Sequence, residues 1–127
     1  MTTDLSLASA TELLRLYRSK KASPVEATQA ALARIARHNP AYNAFVLVDE
    51  KAALAAARAS EKRWAKKKPH GRVDGVPATI KDIVLTKGWP TLRGSLTVDP
   101  NQAWSDDAPG SAVYRVVGLD ACGVEGP

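Results

Sequence analysis

Lys81 is the residue whose type and setting in this sequence best suit chemistry. It stands inside "GVPATIKDIVLTKGWPTLRGS", residues 75–95, after the apolar run Ala78-Thr79-Ile80 and directly before Asp82, with Ile83-Val84-Leu85 following. A lysine at its ordinary pKa near 10.4 is a poor base at neutral pH, and burial among apolar groups lowers the value by up to ~3–5 units. A working lysine base therefore needs a partly apolar seat, and this flanking sequence offers one. Gly75 and Pro77 ahead of it, and Gly88 and Gly94 behind it, permit tight turns that bring main chain close to a bound molecule. The plainer alternative is that Lys81 and Asp82 form the polar end of a strand, solvated and paired with each other.

Other chemistry-bearing groups carry less. The single cysteine, Cys122, has no partner for an intramolecular disulfide and no basic or histidine neighbour to lower its pKa. His38 and His70 lie far apart and offer no metal-ligand spacing, so no metal site is expected. Lys62, Arg63, Lys66, Lys67, Lys68 and Arg72 surround Trp64 in "EKRWAKKKPHGR". That cluster reads either as a nucleic-acid contact or as a solvated helix end, where cations are favoured and Trp64 turns inward. No recognised nucleic-acid-binding motif accompanies it, and nucleic acid is not expected as a partner. Trp89 and Trp104 flank the T-L-R-G-S turn and read as packing residues, with a pocket-lining role as the alternative.

The elements that must position Lys81 announce themselves by their caps. In "SATELLRLYRSKKAS" Ser9 and Glu12 have capping-box spacing, and Ala10, Leu13, Leu14 and Tyr17 share one helical face. In "SPVEATQAALARIARHNP" Ser23 is the N-cap, Pro24 takes N1, Glu26 takes N3, and Val25, Thr28, Leu32 and Ile35 form a stripe that Asn39-Pro40 terminates. "NAFVLV" predicts a strand over Ala44 to Val48, buried on both faces. Asp49 caps a third, alanine-rich helix whose small side chains let it lie close to a neighbour. "ATI" and "IVLT", either side of Lys81-Asp82, read as strand material. Helix, helix, strand, helix, strand is an α/β order.

Taken together, "SPVEA", "NPAYNAF", "GVPATIKD", "TLRGS" and "DDAP" resemble, in order and from about Leu5 to Pro109, the N-terminal part of the amidase signature family. The resemblance implies an α/β fold with a mixed β-sheet flanked by α-helices. It also implies hydrolysis of amide C–N bonds by a Ser-cisSer-Lys triad, without a cofactor. Lys81 would be the base toward one serine, which in turn activates the nucleophilic serine. Asp82, Gly75, Pro77, Gly94 and Ser95 would shape the site, and a small-molecule amide would be the substrate.

The family places both serines well beyond the lysine, the nucleophile in a Gly- and Ser-rich stretch. Here the serines after Lys81 are Ser95, Ser105 and Ser111, none in such a stretch. Residues 1–109 are therefore expected to be the N-terminal part of an amidase domain and 110–127 a divergent tail, the mark of a truncated, frameshifted or rearranged reading frame. The chain is expected to be inactive alone, or to act as a non-catalytic binding or complementing fragment. Strands with unpaired sheet edges would invite association with another chain.

Composition agrees with a single modest core. At 127 residues with 45% hydrophobic and 24% charged, the chain belongs to the globular class. The net charge of +5 arises largely in the 61–72 segment. No signal-peptide pattern opens the sequence and no apolar run reaches membrane-spanning length, so the expectation is a cytoplasmic protein without membrane contact.

Overall fold

The structure, a computed structural model, describes residues 4–105. The D-A-P ending and the divergent tail expected over 110–127 lie outside them.

Three helices in chain order, α1 (Ala10–Arg18), α2 (Pro24–Tyr42) and α3 (Glu50–Ala65), precede a long segment of turns. The first two begin with complete capping boxes. Ser9 and Ser23 accept from the backbone N–H of Glu12 and Glu26, and both glutamates reach back to the N-cap N–H. Asp49 caps α3 by accepting from Ala52 N–H at 2.9 Å. Helices α1 and α3 close alike. Lys21 N–H bonds Leu16 C=O and Lys20 N–H bonds Tyr17 C=O, while Lys68 and Lys67 repeat the pattern to Arg63 and Trp64. Lys20 and Lys67 therefore hold the left-handed position that a Schellman ending requires, with φ of 56° and 55°.

The core forms where the small face of α3 meets α2. Ala53, Ala57 and Ser60 are buried on α3, and Pro24, Ala27, Thr28 and Leu32 on α2, each set at helical spacing. Small side chains let the two backbones approach closely, as the alanine content of α3 predicts. Leu13, Leu14 and Tyr17 of α1 join Ala27 in one cluster, against which Leu5, Ala8, Trp64 and Val76 pack. Each fully buried leucine there contributes ~2–3 kcal/mol of transfer free energy. Ala10, expected on the same face, is exposed.

Three expectations change. Asn39-Pro40 does not end α2, which runs on to Tyr42 with Pro40 inside it and Asn43 as a left-handed C-cap. Proline at that point forfeits one backbone hydrogen bond in the final turn, and the Asn39 amide compensates. It donates to Phe45 C=O at 3.1 Å and accepts from Phe45 N–H at 2.8 Å, tying the helix end to the next segment. The second change concerns Ala44–Val48, which is no doubly buried strand. Val46 and Val48 are 43% and 39% exposed, Phe45 and Leu47 are half-buried, and only Leu47 reaches bridge pairing. The third is the strand material around Lys81. Ile83 and Val84 N–H both bond Lys81 C=O, at 2.8 and 3.0 Å, so the chain reverses there. The bridge Thr86↔Trp89 is the pairing that follows, across a turn with Gly88 at φ +81°. An apolar run becomes a strand only where a neighbour supplies ladder partners. Among the described residues Phe45 bonds the end of α2, Leu47 reaches a single bridge, and Ile83 and Val84 N–H turn back onto Lys81 C=O.

Among the described residues no helix is long and apolar enough to cross a membrane.

Candidate active site around Lys81

The chain reaches Lys81 from a point anchored to α3 and to its own preceding loop. Asp74, almost fully buried, receives Arg63 in a two-pronged pair, Nε to Oδ2 at 2.8 Å and Nη2 to Oδ1 at 2.6 Å. His70 N–H donates to the same carboxylate at 2.9 Å, and Trp64 Nε1 to the Asp74 carbonyl at 2.9 Å. The Arg63 guanidinium holds the Asp74 carboxyl down, from 3.8 to about 2, against the opposing effect of burial. Ser60 Oγ adds to this electrostatically without reaching hydrogen-bond geometry.

Gly75 follows with φ +85°. A Cβ there would meet Ser60 Oγ at 2.6 Å and Pro24 Cγ and Cβ at 2.7 and 2.9 Å. Its carbonyl accepts the Tyr17 hydroxyl at 2.9 Å, and burial pushes the Tyr17 phenol up. Tyr17 in turn meets Trp64 edge-on, with ring centroids 5.8 Å apart. A single residue without a side chain thus lets α1, α2 and α3 converge on the chain that leads to the lysine. Pro77 lies farther along, lining a cavity of about 470 Å³ with Leu5, Ala31 and Ile35.

Lys81 itself is half-buried, and Asp82 beside it is buried to 2% exposure. The Asp82 carboxylate accepts Leu92 N–H at 2.8 Å on Oδ1 and Gly94 N–H at 3.2 Å on Oδ2, while its carbonyl accepts Arg93 N–H at 3.1 Å. Three consecutive amides of the T-L-R-G-S turn therefore converge on one aspartate. The turn closes with Ser95 N–H on Leu92 C=O at 2.9 Å, and Arg93 and Gly94 both sit at positive φ, 56° and 65°, the signature of a type I′ turn. Buried Thr91 adds a hydrogen bond to Val84 C=O at 3.4 Å.

Of the residues singled out in the sequence, the structure gathers Lys81, Asp82, Gly94 and Ser95 into one knot. Gly75 and Pro77 belong to the approach, packed on the helices. The Ser95 hydroxyl engages Thr97 Oγ1 at 2.7 Å and accepts Thr97 N–H at 3.2 Å, so it is occupied within its own turn. Trp89 is buried as packing, and Trp104 is half-buried with its Nε1 on Pro100 C=O at 3.1 Å.

Sequence reasoning missed Asp74 and Arg93. Asp74 carries no motif of its own in the sequence, and Arg63 was counted with the basic cluster rather than as its partner. Three more of that cluster have a structural place, because Lys66, Lys67 and Lys68 are the C-cap and the two residues closing α3. The signal that was present for Arg93 is its place before Gly94 in a turn, where a left-handed residue is required.

Comparison with known proteins gives this geometry its family. The amidase family model matches residues 26–115. The A subunit of the glutamyl-tRNA(Gln) amidotransferase of Myxococcus xanthus is 47% identical over 93 residues, covering 73% of this chain and 18% of that protein. Its counterpart from Salinispora arenicola is 45% identical over 93 residues, covering 73% and 19%. The chain therefore spans about a fifth of the length of these curated relatives. Among solved structures, a bacterial aryl acylamidase of the amidase signature family superposes with TM-score 0.74 at 27% identity, over 89% of this chain and 25% of that one. That neighbour carries the α/β fold class, while a mixed sheet is not formed within residues 4–105. On sequence and on fold alike, this chain belongs to the amidase family.

Proposed function

We propose that these residues are the lysine-bearing segment of a cytoplasmic enzyme that hydrolyses carboxylic amides, with Lys81 as the base. The observation that carries the reading is the Asp82 knot. A buried carboxylate ties the residue after Lys81 to the amides of residues 92–94, so the lysine's backbone is fixed at a reversal between an apolar run and a glycine turn. Asp82 spends its lone pairs on main chain and acts as scaffold, not as acid or base. A serine hydroxyl is a weak nucleophile until a neighbouring base takes its proton, and a fixed lysine supplies that base. Both serines of the triad come from sequence beyond these 127 residues, on the same polypeptide or another. The 127 residues alone do not turn over amides.

The test is a chimaera in which residues 1–105 replace the matching portion of the Myxococcus xanthus relative, with ammonia release from an amide as the readout. Activity is expected, with a loss of ~10²–10⁴-fold in Lys81→Ala, the range for a positioned base. An active chimaera in which Lys81→Ala changes nothing overturns the assignment. Amide turnover by the isolated 127-residue chain, abolished by Lys81→Ala, overturns its predicted inactivity.

A further inference from the structure

Among the described residues, four other than glycine have positive φ: Lys20, Asn43, Lys67 and Arg93. The first three end helices, where left-handed backbone is ordinary. Arg93 has no such reason. It occupies the first central position of a type I′ turn, where glycine, asparagine or aspartate are usual, and an arginine there costs roughly 1–2 kcal/mol. The surrounding structure enforces the conformation, since the amides before, at and after this residue all bond Asp82. Among the described residues the Arg93 guanidinium has no hydrogen-bond or ion-pair partner.

Where that side chain stands is the second observation. Arg93, itself exposed, lines an open surface cavity of about 460 Å³ together with buried Thr91, half-buried Trp104 and exposed Thr97, Asp99 and Gln102. The Trp104 wall is fixed at two points, its carbonyl accepting Gly88 N–H at 2.8 Å and its indole N–H bonding Pro100 C=O at 3.1 Å. Asp99, the acidic residue among the described lining, turns Oδ1 onto Asn101 N–H at 2.9 Å. The cavity thus offers an always-charged fork, unpaired among the described residues, beside an immobilised aromatic wall. That combination suits a small organic acid, the carboxylate on Arg93 in a charge-assisted pair and the carbon skeleton against Trp104.

We propose that Arg93 anchors the carboxylate of a small organic acid in this cavity. Resting on the reading of Lys81 as base, the amides hydrolysed then carry a carboxylate of their own. The anchor and the base are joined through Asp82, which holds the backbone of both.

The test is a titration of the full 127-residue chain with benzoate, and with benzamide as its uncharged counterpart, following the indole N–H resonance of Trp104 by NMR. Saturable benzoate binding is expected, at least tenfold tighter than benzamide. Arg93→Gly, which relieves the backbone while removing the charge, should bring benzoate down to the benzamide level with the rest of the amide spectrum retained. Arg93→Asn, a second residue that tolerates left-handed backbone, should do the same. Lys51→Ala, at an exposed position on α3 outside the cavity, should leave binding unchanged, and because binding is read here without turnover, a failed base assignment in the chimaera and a failed anion site give different results. Equal binding of the two probes, undiminished benzoate binding by either Arg93 variant, or no saturation by the parent chain each overturns the proposal.

Discussion

Replacing Asp74 by asparagine keeps the shape of the side chain and removes the charge that orders the approach to Lys81. The parent carboxyl has its pKa lowered from 3.8 to about 2 in the folded protein, with Arg63 as the leading cause. A depressed folded value means that the folded state binds the proton less readily than the unfolded one. The stabilisation is therefore complete above the unfolded value and disappears as pH falls from near 4 through about 2. At 1.36 kcal/mol per unit, the shift corresponds to about 2 kcal/mol. In Asp74→Asn at neutral pH the loss is larger, roughly 3 kcal/mol, because the two-pronged pair with Arg63, only 27% exposed, loses its charge. For a domain of this size each kcal/mol moves Tm by ~4–8 °C, so Tm at pH 6 should fall by roughly 10–20 °C. The assay is thermal unfolding followed by circular dichroism for both proteins from pH 6 down to pH 2. The difference between them should narrow by about 2 kcal/mol across that range. A difference that stays constant with pH, or a Tm change below about 2 °C at pH 6, refutes the argument that Asp74 works through its charge.

Gly75→Ala should cost ~3 kcal/mol or more in urea unfolding, because left-handed backbone and a Cβ at 2.6–2.9 Å from Ser60 and Pro24 act together. A loss below about 1 kcal/mol would mean that the junction yields easily. Tyr17→Phe should cost about 1 kcal/mol in the same assay by removing the hydroxyl bond to Gly75 C=O while keeping the Trp64 contact. Lys20→Gly and Lys67→Gly should each stabilise by roughly 0.5–1 kcal/mol, and additively, since each relieves a lysine at φ near 55° in its own helix ending. Destabilisation by either substitution would show that the lysine side chain matters more than its backbone.

The helices were legible because their signals are local. Ser9 with Glu12, Ser23 with Pro24 and Glu26, and Asp49 all act within one turn, and each caps as its spacing predicts. The end of α2 was misread because the device that lets the helix pass Pro40 is the Asn39 side chain reaching Phe45, which no propensity encodes. The extended runs were misread for a related reason. Apolar character in "NAFVLV" and "IVLT" states a demand for partners, and what answers that demand is decided elsewhere in the fold. Arg63–Asp74 was hidden in the same way, because a cluster of cations does not show which one turns inward.

The site adds a physical point about how a lysine can be placed. Upstream, Asp74 and Gly75 are pinned to α1, α2 and α3 through Arg63, Trp64, Tyr17 and the close packing of Pro24 and Ser60. Downstream, Asp82 is pinned to the amides of residues 92–94. Lys81 lies on the short span between these two anchors, and its carbonyl closes the reversal by accepting Ile83 and Val84 N–H. Its backbone position is therefore set by main chain held at both ends. Buried carboxylates at 74 and 82 fix the backbone at a cost in desolvation that their hydrogen bonds offset. Around Lys81, the glycine at 75, the aspartates at 74 and 82 and the turn at 92–95 supply the geometry that holds the lysine's backbone in place.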